Sequence, residues 1–118
     1  MTILVAALSK DESTWPHIKR LIQDGSWEEI LLITSTPQPN KFEVLKKVTK
    51  IQIDFSKPAK ELISSLSNEL KTKISGIEIA LNLVSGTGKE HMIILSAILK
   101  LGVGIRLVAI TKEGVEEL

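Results

Sequence analysis

The sequence predicts an α/β fold, a three-layer Rossmann-like sandwich around a mainly parallel five-stranded sheet of order 3-2-1-4-5. Three observations predict it. Short apolar runs alternate with amphipathic segments along the chain. Most runs are apolar at successive positions, as strands buried on both faces must be. No repeat or linker divides the 118 residues, so residues 1–118 are expected to form one domain with one hydrophobic core.

Each element follows from local pattern. "TILVAAL" (2–8) is rich in β-branched residues and reads as a buried strand. "SKDEST" is a polar loop with Asp11 and Ser13 as candidate N-caps. Trp15, Ile18, Leu21 and Ile22 then share one helical face, Pro16 is tolerated in the first turn, and Gly25 ends the helix. "EEILLITST" (28–36) is a second buried strand, closed by "PQP". "NKFEVLKKV" is expected to be a short helix capped by Asn40, with Glu43 three residues on. "KIQIDF" (50–55) alternates with period two, which predicts a strand near a sheet edge. Ser56 or Asp54 is expected to cap a helix with Pro58 early and Ala59, Leu62, Ile63, Leu66 and Leu70 on its apolar stripe. "GIEIALNLV" (76–84) is the fourth strand, 89–101 a helix ended by Gly102, and "VGIRLVAIT" (103–111) the fifth strand.

Composition excludes several classes of function. A net charge of +1 argues against duplex nucleic acid held on a broad basic face, although a local anion pocket is compatible with it. The chain has no cysteine, so disulfides and thiolate metal sites are excluded, and His17 and His91 are the only imidazoles. Neither a metal nor a cofactor is expected. No apolar run reaches the roughly 18–20 residues of a membrane span. "MTILVAAL" also lacks the basic start and cleavage site of a signal peptide, so no membrane association and a cytoplasmic location are expected.

In the predicted strand order the chain reverses between strands 1 and 4, and ligands of such sheets bind at that switch point. The loops there are "SKDEST" and "SGTGKEH". The second is not a P-loop, because Leu83 stands where the first glycine belongs and Glu90 where Ser or Thr would hold magnesium. It is not a dinucleotide fingerprint either, since His91 replaces the third glycine and the loop follows the wrong strand. What remains is general anion chemistry: glycines that let backbone approach a ligand, amides of residues 87 to 90 opening a helix, the Ser85 and Thr87 hydroxyls, and the Lys89 charge. A plain N-terminal cap made by Thr87 or Ser85 is the alternative use of these residues. The following helix is apolar on nearly every side (Met92, Ile93, Ile94, Leu95, Ala97, Ile98, Leu99, Leu101), which predicts a homodimer covering its outer face.

"LNLVSGTGKEHMIILSAILKLGV" resembles the signature of CRISPR-associated Rossmann-fold (CARF) domains. Asn82, Ser85, Gly86, Thr87, Lys89 and Met92 match that pattern, allowing Gly88 as one inserted residue. The resemblance is specific over this stretch and topological elsewhere. It implies a homodimer binding cyclic oligoadenylate, usually the four-membered ring, in a pocket shared across a two-fold axis. Leu8, Ser9 and Lys10 on the first loop, and Thr34 and Ser35 ending strand 2, would join Asn82, Ser85, Gly86, Thr87, Gly88, Lys89 and Met92 around the ligand. The chain ends soon after strand 5, so a bare sensor without an effector domain is expected. Compact relatives are ring nucleases, in which a ribose 2′-OH attacks the adjacent phosphorus without a metal. For that chemistry Lys89 would stabilise charge, Ser9 orient the nucleophile or phosphate, Thr87 add a hydrogen bond, and His91 serve as acid or base. A non-catalytic sensor, or a domain for another phosphorylated ligand, are the other expectations. His17 is expected to be structural.

Overall fold

The computed structural model describes residues 2–35 and 42–118. Among these residues one six-stranded sheet has the order β3-β2-β1-β4-β5-β6. Its strands are β1 (Thr2–Leu8), β2 (Trp27–Ser35), β3 (Thr49–Ile53), β4 (Glu78–Asn82), β5 (Gly104–Thr111) and β6 (Gly114–Glu117). The first five are parallel, and β6 returns antiparallel to β5. The predicted order therefore holds, with one strand more than expected.

Alternation along β1 divides the core. Ile3, Val5 and Ala7 join Leu31, Ile33, Ile79 and Leu81 on one face, under α2 (Ala59–Lys73) and α3 (Gly88–Leu99). Leu4, Ala6 and Leu8 join Ile30, Leu32 and Ala80 on the other, under α1 (Trp15–Asp24). This is the three-layer sandwich that the doubly apolar strands required. Leu62, Leu66 and Leu70 recur at helical spacing and are buried, and each contributes roughly 1.5–3 kcal/mol by leaving water.

Three expectations need correction. Asn40 lies outside the described residues, and 42–48 are not helical. A helix would have kept Phe42 and Leu45 near one face, yet Phe42 is 3% exposed and Leu45 94%. Phe42 instead meets Trp15 edge-on at 5.6 Å, and Lys46 Nζ donates to Gly25 C=O, so tertiary contacts override a weak local preference. Neither Ser56 nor Asp54 caps α2, whose N-cap position is Pro58. Asp54 accepts from Ser56 N–H and Oγ–H in a turn of its own. Gly25 ends α1 as expected, at φ −82°. It is glycine because the Trp27 ring lies where a β-carbon would be. Finally, β5 is wetter than expected: Leu107 is 48% exposed, and Arg106 pairs with Glu78 and Glu117 across the β4–β5–β6 surface.

Replacement of Leu45 by Ser should change stability by less than about 0.5 kcal/mol, whereas Leu66→Ala should cost about 2–5 kcal/mol. Urea unfolding of the two variants checks this, and a large loss at Leu45 would restore the helical reading of that segment.

Candidate functional site

Because β1, β2 and β4 are parallel, their carboxyl ends bring Ser9, Ser35 and the 83–87 loop to one edge of the sheet. An open cleft of about 530 Å³ lies there. Ser9, Lys10, Ser35, Gly86 and Thr87 line it, as the switch-point argument expects. Asp11, Thr14, Val84 and Glu90 line it as well and were not foreseen.

The remaining candidates stand elsewhere. Leu8 is buried beneath the cleft, and Thr34 is fully buried on the α1 side, its Oγ1 without a partner among the described residues. Neither side chain reaches the cleft wall. Asn82 is buried and committed within the protein: Oδ1 accepts from Val84 N–H, while Nδ2 reaches Val108 C=O at 2.9 Å and His17 Nε2 at 3.1 Å. It ties the end of β4 to β5 and α1. Ser85 has no exposed surface, so its hydroxyl cannot be the ligand donor that the motif suggested. Gly88, Lys89 and Met92 are exposed outside the cleft lining.

Ser85 Oγ is the clasp between the two loops. It accepts from Ser9 N–H at 2.8 Å and lies 2.9 Å from Ser9 Oγ and 2.8 Å from Thr14 Oγ1. Asp11 N–H donates to Ser9 Oγ, and the Trp15 indole N–H holds Ser9 C=O at 2.9 Å. The first loop is thereby pinned from three directions.

The start of α3 is a capping box. Thr87 N–H donates to Glu90 Oε1 at 2.8 Å, and Glu90 N–H donates to Thr87 Oγ1 at 3.2 Å. The amides of 87 and 90 are therefore taken, which corrects the expectation that residues 87 to 90 offer a free set. The Thr87 hydroxyl proton remains available, as do the early amides at 88 and 89, which precede the first helical bonds. The signal was present in the sequence as Thr87-x-x-Glu90, the capping-box spacing. Gly86 sits beside this box at φ +112°, where an added β-carbon would come within 3.0 Å of His91 Nε2 and 3.1 Å of Glu90 Oε1. Only glycine suits both the dihedral and the space.

Charge in the cleft is mixed. Lys10 lines it together with Asp11 and Glu90. Asp11 is held below the usual carboxylate range by the Ser13 hydroxyl and amide that bond it. His91 Nε2 donates to Ser85 C=O at 2.8 Å, which leaves Nδ1 as its nitrogen for proton transfer. No three His, Asp or Glu side chains group as a metal site among the described residues. Among those residues, too, no helix is long and apolar enough to cross a membrane.

No family model and no curated protein matches the chain. Among solved structures it is similar to the C-terminal domain of a hydrogenase from Pyrococcus furiosus, at 14% identity and a TM-score of 0.57. The match covers 90% of this chain and 89% of that one. At that identity the likeness concerns the fold: a Rossmann-like α/β domain with a mostly parallel sheet.

His17 supports the site from below and sets a pH dependence. An amide NH₂ only donates, so His17 Nε2 must be unprotonated to accept from Asn82. Burial, with the nearby Arg20 charge, lowers the His17 pKa from its ordinary 6.5. The unfolded chain then binds more protons than the folded one in the window between the lowered folded-state value and the ordinary 6.5. Stability should be constant above about pH 7, fall as pH drops through 6.5, and level off below the folded-state value. Thermal melts between pH 7.5 and 5 should show this loss in the wild type and a flatter profile in His17→Gln, allowing for carboxylate titration at the acid end. An equal slope in both proteins would remove His17 from that role.

Proposed function

We propose that this chain is a CARF-type domain that binds cyclic oligoadenylate, specifically the four-membered ring, as a homodimer and cleaves it without a metal. The observation that carries this is the gathering of Ser9, Lys10, Ser35, Gly86 and Thr87 in one cleft at the switch point. The exposed side of α3 supports the dimer. Met92, Leu95 and Leu99 fall on one face at 72%, 36% and 61% exposure, although they are apolar. Pairing two copies along this stripe would cover it and set two clefts about a two-fold axis, matching a ring with internal symmetry.

In this reading the ribose 2′-OH attacks the neighbouring phosphorus, the 5′-oxygen leaves with a proton, and the product carries a 2′,3′-cyclic phosphate. Ser9 orients the phosphate or nucleophile, and Thr87 donates its free hydroxyl proton. Lys89, exposed at the first turn of α3, balances developing charge, and His91 supplies or removes a proton at Nδ1. A second reading, a sensor that binds the ring intact, is favoured by Lys89 lying outside the cleft lining of a single copy.

Incubation with cyclic tri-, tetra- and hexa-adenylate in EDTA, followed by mass spectrometry, tests both readings. Linear products ending in a cyclic phosphate are expected, and Lys89→Ala should slow cleavage on the order of 100-fold. Bound but intact ring would leave the sensor, and absence of binding would overturn the assignment. Sedimentation should give a dimer of the 13.0 kDa chain at micromolar concentration. Glu90→Gln keeps an acceptor for Thr87 N–H but removes a charge from the cleft. It should tighten ring binding by roughly 3–10-fold at low salt, with the gain shrinking as salt is added.

A further inference from the structure

Three hydroxyls at the cleft form a chain whose direction is not fixed by its heavy atoms. Ser9 Oγ lies 2.9 Å from Ser85 Oγ, which lies 2.8 Å from Thr14 Oγ1, which in turn lies 2.8 Å from the Asp11 carbonyl. Each hydroxyl has one proton to give. In one order the protons run from Ser9 to Ser85 to Thr14 to the carbonyl. Ser9 then has no proton left over, and it shows the cleft an acceptor lone pair. In the other order Thr14 donates to Ser85 and Ser85 to Ser9, while the carbonyl keeps Thr14 N–H at 3.2 Å. Ser9 then shows the cleft a free O–H. The two orders differ only by rotation about three C–O bonds.

We infer that Ser85, which is fully buried and cannot touch a ligand, is a positioning residue that sets whether Ser9 donates or accepts in the cleft. The inference rests on the switch-point cleft being the ligand site, as proposed above. A phosphate oxygen only accepts, so an anionic ligand selects the second order and receives the Ser9 proton. A ligand amino or hydroxyl group at the same point selects the first. One serine thus serves both the phosphate and the sugar or base edge of a nucleotide without rebuilding the pocket. The chain also explains why Ser85 is buried with its hydroxyl bonded on every side: the Ser9 amide fixes one lone pair, and the relay uses the remaining lone pair and the proton.

Calorimetric titration with cyclic tetra-adenylate and, separately, adenosine 5′-monophosphate tests this. Ser9→Ala should weaken binding roughly 10-fold, the loss of one hydrogen bond to a charged group, and Ser85→Ala by a similar factor, because Ser9 Oγ loses the donated Ser85 proton and Ser9 N–H loses the acceptor that holds it at the rim. The double variant should be no weaker than either single one, because Ser85 acts through Ser9. Thr14→Val leaves the Ser85 proton only Ser9 to donate to and locks Ser9 as a donor, so it should weaken binding clearly less than Ser85→Ala does. Losses that multiply in the double variant, or a Thr14→Val loss equal to that of Ser85→Ala, would overturn the relay and leave Ser85 a plain structural residue. If Ser85→Ala does not fold, Ser85→Cys is read the same way, since a thiol is a weak acceptor. A wild-type chain that binds the monophosphate but not the ring removes the ring reading and leaves the relay testable on the monophosphate. A chain that binds neither overturns both.

Discussion

The structure depends on one strand having no wet side. In β1 every residue from Ile3 to Leu8 is at or below 3% exposure, and its backbone is paired with β2 on one side and β4 on the other. A strand buried on both faces must be covered by helices on both, and those helices must return the chain to the same end of the sheet. That requirement makes the neighbours parallel. It also makes the first turns after β1 and β4 face each other. The cleft is a by-product of burying β1.

Polar side chains at that edge are therefore held inside the protein. Asn82 and Ser85 are buried at the ends of apolar strands, where an unpaired amide or hydroxyl would cost about 1–3 kcal/mol. Their partners come from other segments: His17 and Val108 for Asn82, Ser9 and Thr14 for Ser85. The cleft floor is consequently a cross-linked layer, while the groups left for a ligand stand on its rim. The capping box divides α3 in the same way, spending Glu90 on the helix end and leaving the Thr87 proton outward.

Sequence was most informative where a single periodicity accounted for burial. Trp15, Ile18, Leu21 and Ile22 are the buried face of α1, as their spacing indicates. The apolar runs became the parallel strands in the expected order. The segment 42–48 was misread because Phe42 and Leu45 have helical spacing, whereas their fates were decided by contact with Trp15 and by solvent. β6 was missed because four residues, two of them Glu, give no alternation long enough to weigh. At the site, position was legible and orientation was not. The loops could be placed by topology, but nothing in "SGTGKEH" says that Ser85 turns inward and Lys89 outward.

The two tryptophans occupy opposite ends of the molecule. Trp27 pairs with Thr2 at the start of the sheet and donates its indole N–H to Leu21 C=O, remote from the cleft. Trp15 is buried against Phe42, and its indole N–H grips Ser9 C=O, the residue at the rim. One of the chain's two fluorophores is thus tied to the cleft loop and the other is not. With no tyrosine to blur the spectrum, a ligand that shifts the Ser9 loop would be read in Trp15 emission without a label.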